Sequence, residues 1–112
     1  MSRFEWDAAN TSHIAKHKVT TDEAEQVVLN EPFDIELQSR KGEIRTLQVG
    51  ETNHQRILVV VTTRRGDLLR VVTAFPASKT YRTIYAAEKS KAAKGKENER
   101  YSRRASKENL QE

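Results

Sequence analysis

Five basic side chains and a tyrosine crowd the end of the chain's last β-branched run. Arg64 and Arg65 stand in "RRGD", Arg70 in "LLRVVTAF", and Lys79, Tyr81 and Arg82 in "SKTYR". Arginine suits phosphate because its planar, always-charged fork gives two parallel N–H donors. A helix opening after Pro76 would add free backbone N–H groups and a partial positive charge. That chemistry is the gripping of a phosphodiester. The bland alternative is a solvated rim, with the hairpin arginines in water and Arg82 on an exposed helix face. The pattern alone leaves both standing.

Three histidines carry the other candidate chemistry: His13, His17 and His54. His13 and His17 are four apart, which suits two metal ligands on a helix. "HIAKH", however, lacks the Glu that a zinc-hydrolase helix places after its first His, and no third ligand is evident, so no metal is expected. His17 fits better as a general acid or base, since an imidazole titrates near pH ~6.5. It fits equally well as a helix-terminal His satisfied by nearby carbonyls and the dipole. His54 reads as an exposed turn residue. There is no Gly-rich phosphate loop, Ser-His-Asp arrangement or paired-carboxylate pattern, and no cofactor is expected.

The elements that must position these groups follow from periodicity. "RFEW" reads as a short strand or as the first layer of the core. Asp7 caps a helix over roughly 8–18, with Asn10, His13/Ile14 and His17 along one stripe. Thr20 and Glu23 form a capping box opening a second helix, which Asn30-Glu31-Pro32 stops. The period then changes to two. "FDIELQ" alternates Phe33, Ile35 and Leu37 against Asp34, Glu36 and Gln38, and "EIRTLQVGE", "RILVVVTT" and "LLRVVTAF" follow as strands separated by turn signals. Pro76 ends pairing, and Ser78 caps a last helix with Tyr81, Ile84, Tyr85 and Glu88 on one face. Consecutive hairpins imply an α+β fold: a four-stranded antiparallel sheet, two N-terminal helices and a C-terminal helix, the helices on one face. Strict alternation would put Arg70 and Thr73 on opposite faces of the last strand, and only a bulge near its end could bring them together. Phe4, Trp6 and Phe33 read as core.

Composition sets the bounds. The chain has 112 residues, 36% hydrophobic and 32% charged, enough for one domain. From Glu88 onward the only aliphatic or aromatic residues larger than Ala are Tyr101 and Leu110, and this tail supplies +3 of the net charge of +4. We therefore divide the chain into a domain over 1–88 and a basic extension over 89–112, helical or disordered. In the extension Arg100, Arg103, Arg104 and Lys107 make a stripe if helical. A pI near 9.5 permits a nucleic-acid partner without requiring one. Zero cysteines exclude disulfides and thiolate metal sites. With no long apolar run and no signal peptide, a cytoplasmic protein with no membrane partner is expected.

Three stretches together resemble a known family. "FEWDAANTSHIAKHKVTTDEA" (4–24) is similar to the opening of BrnT-type toxins, "LVVVTTRRGDLLRVVTA" (58–74) to their central hairpin, and "PASKTYRTIY" (76–85) to their basic final helix. The resemblance covers about residues 4–88. It implies a RelE-like fold and a toxin of a bacterial type II toxin–antitoxin pair that cleaves RNA without metal and arrests growth. It also implies a ribbon-helix-helix antitoxin partner, through which alone the toxin meets DNA. The polar positions that match the family are His17 and the Lys18 region, Arg65, Arg70 and Thr73, with Arg82 on the helix. In the catalytic set this would support, His17 transfers the proton with Tyr81 or Lys79 in reserve, Arg65 and Arg70 hold charge on the phosphorane, and Thr73 orients the phosphate or 2′-OH. Lys18, Arg64, Lys79 and Arg82 would bind RNA. Three positions depart from the family pattern: Lys18 stands where "H-G-V" has Gly, Thr62 where a His is common, and Phe75 where an Arg is frequent. A catalytically decayed RNA- or partner-binding module of the same fold is the alternative.

Overall fold

The computed structural model describes residues 3–93. The stripe of Arg100, Arg103, Arg104 and Lys107 lies outside them. Chain order is β1 (Phe4–Glu5), α1 (Ala8–Ala15), α2 (Thr21–Leu29), β2 (Phe33–Arg40), β3 (Glu43–Glu51), β4 (Ile57–Arg65) and β5 (Leu68–Pro76), followed by helix α3 over 79–93.

Both N-terminal helices begin where side-chain chemistry dictates. The Asp7 carboxylate accepts the Asn10 N–H at 3.0 Å, while Asn10 Oδ1 accepts the Asp7 N–H at 2.8 Å. Thr20 and Glu23 make the same reciprocal box at 3.1 and 3.0 Å; the Thr20 cap contributes about 1 kcal/mol. Helix α1 stops at Ala15, short of the expected 18, because residues 16–18 form a turn. The Val19 N–H reaches the Ile14 carbonyl and the Lys18 N–H reaches that of Ala15, with Lys18 at φ +60°. This is the left-handed helix stop that usually recruits glycine. Ile14 and Val19, both buried in one cluster, are the apolar contact that accompanies it.

Among the described residues the sheet has five strands in the order β1-β5-β4-β3-β2. It corrects the expected four-stranded antiparallel sheet: "FE" pairs parallel with β5, Phe4 opposite Leu69 and Glu5 opposite Arg70, which makes the sheet mixed. The remaining neighbours are antiparallel.

A second correction concerns the helices, which occupy both faces. Ile14, Val19, Ala24 and Val27 of the α1–α2 layer pack with Leu58, Val60, Val71 and Ala74. Ala77 and Tyr85, with Tyr81 beside them, pack with Leu47, Val49, Val59 and Val61. The cause is β4: its run Ile57–Val61 is apolar at every position rather than alternately, as in strands buried on both sides. Each fully buried aliphatic side chain contributes roughly 1.5–3 kcal/mol, so both faces reward a cover. Phe4 and Trp6 pack on the first cluster and Phe33 on the second, as expected of core residues. Close approach on the α2 side falls at Gly50, where a Cβ would lie 2.9 Å from Pro32 Cβ and 3.0 Å from Val27 Cγ1.

Candidate functional site

The register of β5 decides which side chains can meet. Val61 pairs with Thr73 but Thr62 pairs with Val71, so Val72 is an extra residue, a bulge. Thr63 pairs with Arg70. Because Val61 and Thr63 share a face, Arg70 and Thr73 share it too. The alternation expected from sequence is broken at the one place that unites them. On the next strand Arg45 pairs with Thr63, so Arg45, Thr63 and Arg70 lie in a row across β3, β4 and β5.

Helix α3 covers the Phe75 end of this face. Beyond it a depression of about 310 Å³ is lined by Ala9, Asn10, His13, Arg45, Arg65, Arg70 and Val72. Helix α1 forms its wall, anchored by Asn10, whose buried amide donates to the Glu5 and Val71 carbonyls at 2.9 and 3.1 Å. The next turn of α1 aims His13 at the sheet, with Nε2 3.0 Å from Thr73 Oγ1. His17 follows one turn later, its ring 5.4 Å from that of His13 and 6.1 Å from that of Phe75.

Carboxylates hold each guanidinium. Arg70 Nη1 donates to Glu5 and Asp7, both at 2.9 Å, and its side chain is 15% exposed. Hydrogen bonding to Asp7 first, and to Glu5, raises the Arg70 pKa above its ordinary value against the cost of burial. The same Arg70 bond, aided by the Asn10 N–H, holds Asp7 below the usual carboxylate range. Glu43 bridges Arg45 at 3.3 Å and Arg65 at 3.2 Å. Burial pushes the Glu43 carboxyl up, but Thr63, Arg45 and Arg65 together bring it below its ordinary value. The three arginines are thus matched by three carboxylates. What the depression offers a phosphate is donors fixed in direction more than surplus charge. Among the described residues Arg45 Nε is buried without a hydrogen-bond partner, and an unmet buried donor costs about 1–3 kcal/mol. Arg65 is the most open of the three, with half its side chain exposed.

Of the residues singled out from sequence, Arg65, Arg70 and Thr73 share this face, and His17 stands at its edge. The others go elsewhere. Tyr81 packs on the apolar layer under α3. Arg64 pairs with Leu69 on the opposite face and lines a groove with Arg3 and Leu29. Lys79 and Arg82 are exposed on α3, and Lys18 is exposed at the helix stop. Two residues of the site are not evident from sequence. His13 reads there as a metal ligand, although it lies on the stripe with Asn10 and His17. Arg45 gave no local signal, since its relation to Arg70 passes through two strand registers. Among the described residues no group of three His, Cys, Asp or Glu side chains is placed to share a metal ion.

The profile of the family described as "Ribonuclease toxin, BrnT, of type II toxin-antitoxin system" matches residues 6–80, more than half of the chain. The chain belongs to the BrnT family. The matched span contains α1, the whole sheet beyond β1, and every residue lining the depression. No curated protein matches the chain. Membership makes this a ribonuclease toxin of a type II toxin–antitoxin system, with RNA as substrate and an antitoxin as partner. Of the departures from the BrnT pattern, Thr62 is buried and paired with Val71, on the face away from the depression. Among the described residues no helix is long and apolar enough to cross a membrane.

Proposed function

We propose that this BrnT protein is a metal-independent endoribonuclease of RelE-like architecture that acts in the cytoplasm to arrest growth. A cognate ribbon-helix-helix antitoxin neutralises it and carries its only contact with DNA. The observation that carries this reading is the convergence of His13, Arg45, Arg65 and Arg70 on one depression, with Thr73 held against His13 beside it. RNA cleavage without metal needs a base for the 2′-OH proton, positive donors on the phosphorane, and an acid for the leaving 5′-oxygen. His13 and His17 are the proton-transfer pair. His13 sits against Thr73, which orients the 2′-OH or a phosphate oxygen, and His17 stands at the rim. Arg65, Arg70 and Arg45 bind the phosphorane oxygens. The products are a 2′,3′-cyclic phosphate and a 5′-hydroxyl. Tyr81, packed under α3, passes from the catalytic set to a supporting role, and Lys18, Arg64, Lys79 and Arg82 guide the RNA strand.

The second reading, a decayed binding module, draws on Phe75, which sets an apolar ring against His17. Induced expression distinguishes the two. The enzyme arrests growth and co-expression of its antitoxin relieves the arrest, whereas unimpeded growth at high expression overturns the toxic reading.

A further inference from the structure

Among the described residues strand β2 is the last strand of the sheet, and its outer edge pairs with no other strand. Its register contains a second bulge: Asp34 pairs with Gln48 and Glu36 with Leu47, leaving Ile35 as the extra residue. Phe33 and Ile35 still pack on the α3 side. The bulge turns Leu37 to the other face, beyond the cover of α1 and α2, where it is 71% exposed beside Ile44 at 64%. An edge strand with a bare leucine at its middle is a template for another strand.

We infer that β2 pairs with β2 of a second copy of this chain, antiparallel and centred on Gln38, to make one ten-stranded sheet across a two-fold axis. The backbone geometry is ready for it. The β2–β3 hairpin has a two-residue turn, Lys41 at φ +52° and Gly42 at φ +78°, closed by the pair Arg40 and Glu43. That closing pair directs its N–H and C=O inward to β3, so alternation directs those of Ser39 and Leu37 outward. Centred on Gln38, Leu37 of each copy meets Ser39 of the other as a hydrogen-bonded pair.

The charges choose the occupant. The same register sets Glu36 of each copy directly opposite Arg40 of the other, two opposite-charge cross-strand pairs created by one self-complementary strand. Directly opposed unlike charges stabilise a ladder and like charges destabilise it. Only residues 36–40 are used, so the bulge at Ile35 stays outside the pairing. A two-fold axis normal to the sheet keeps faces together, so both arginine depressions open on the same side of the pair.

Sedimentation of the purified full chain over a concentration series, with hydrogen exchange, tests this. The wild type shows a concentration-dependent dimer with the Leu37 and Ser39 amides protected in it. Glu36→Arg or Arg40→Glu, both at exposed positions, weakens the dimer roughly tenfold to a hundredfold, and the double charge swap restores it. Circular dichroism checks that each variant is folded. A wild type that stays monomeric, a dimer indifferent to the single swaps, or edge amides protected only when the antitoxin is added would each overturn the self-pairing.

Discussion

One carboxylate, Asp7, closes helix α1 and anchors the arginine at the centre of the depression. Its Oδ1 accepts the Asn10 N–H at 3.0 Å while Oδ2 accepts Arg70 Nη1 at 2.9 Å. The start of the helix that carries His13 is therefore tied to the position of Arg70. The two halves of the site are set by one side chain.

This link has a pH consequence. The folded-state pKa of Asp7 lies below its ordinary value of 3.8, held there first by Arg70. A lowered carboxylate pKa gives stability that is fully present above the unfolded value and is lost as pH falls through the folded one. Asp7→Asn keeps a capping oxygen but cannot ionise. The variant is expected to be less stable than wild type at neutral pH, with the difference closing as pH drops below about 4. Denaturant midpoints across that interval check it; parallel curves for the two proteins would contradict it.

Lys18 holds the left-handed position at the end of α1 with φ +60°, and its carbonyl accepts Arg56 Nη1 at 2.8 Å. Glycine would remove the Cβ strain while keeping every backbone bond. Lys18→Gly should raise unfolding free energy by up to about 1 kcal/mol, the strain relieved being partly offset by a more flexible unfolded chain. Urea titration measures it. A clear loss of stability would mean that the lysine side chain is structurally needed.

On the alkaline side the group to watch is Tyr85, whose hydroxyl donates to Glu51 at 2.8 Å. Burial, with Glu51 beside it, pushes its pKa up from 10.0 to about 12. A pKa raised on folding contributes stability present below the unfolded value and lost as pH climbs through the folded one. Between pH 10 and 12 the wild type should lose stability faster than Tyr85→Phe, and one phenol should ionise late in absorbance titration. Equal slopes for the two proteins would refute this.

How much was legible in advance depended on range. The caps at Asp7 and Thr20 and the stop at Pro76 are local chemistry, and all stand where their residue types put them. The apolar run in β4 is itself the sign that both faces are covered, whereas consecutive hairpins by themselves imply helices on one face only. The bulges at Ile35 and Val72 were not legible, because a bulge is a mismatch of register between two strands. Those bulges expose Leu37 and bring Thr73 to the side of Arg70. Arg45 was hidden for the same reason, and His17 stands out in the sequence through the likeness of "HKV" to "H-G-V", whereas it is the α1–β5 crossing that aims His13 at Thr73.

If the depression itself cleaves RNA, loss of its exposed side chains must slow the reaction. Arg70→Ala is a poor probe, since it strands Glu5 and Asp7. Arg65→Ala and His13→Ala touch exposed side chains. The decisive measurement is cleavage of a defined RNA by the purified full chain in excess chelator, with product ends identified and folding checked by circular dichroism. Wild type is expected to cleave to 2′,3′-cyclic phosphate and 5′-hydroxyl ends, at a rate reduced ~10²-fold or more in each folded variant. Wild-type rates in both variants, or wild-type cleavage abolished by the chelator, would contradict it.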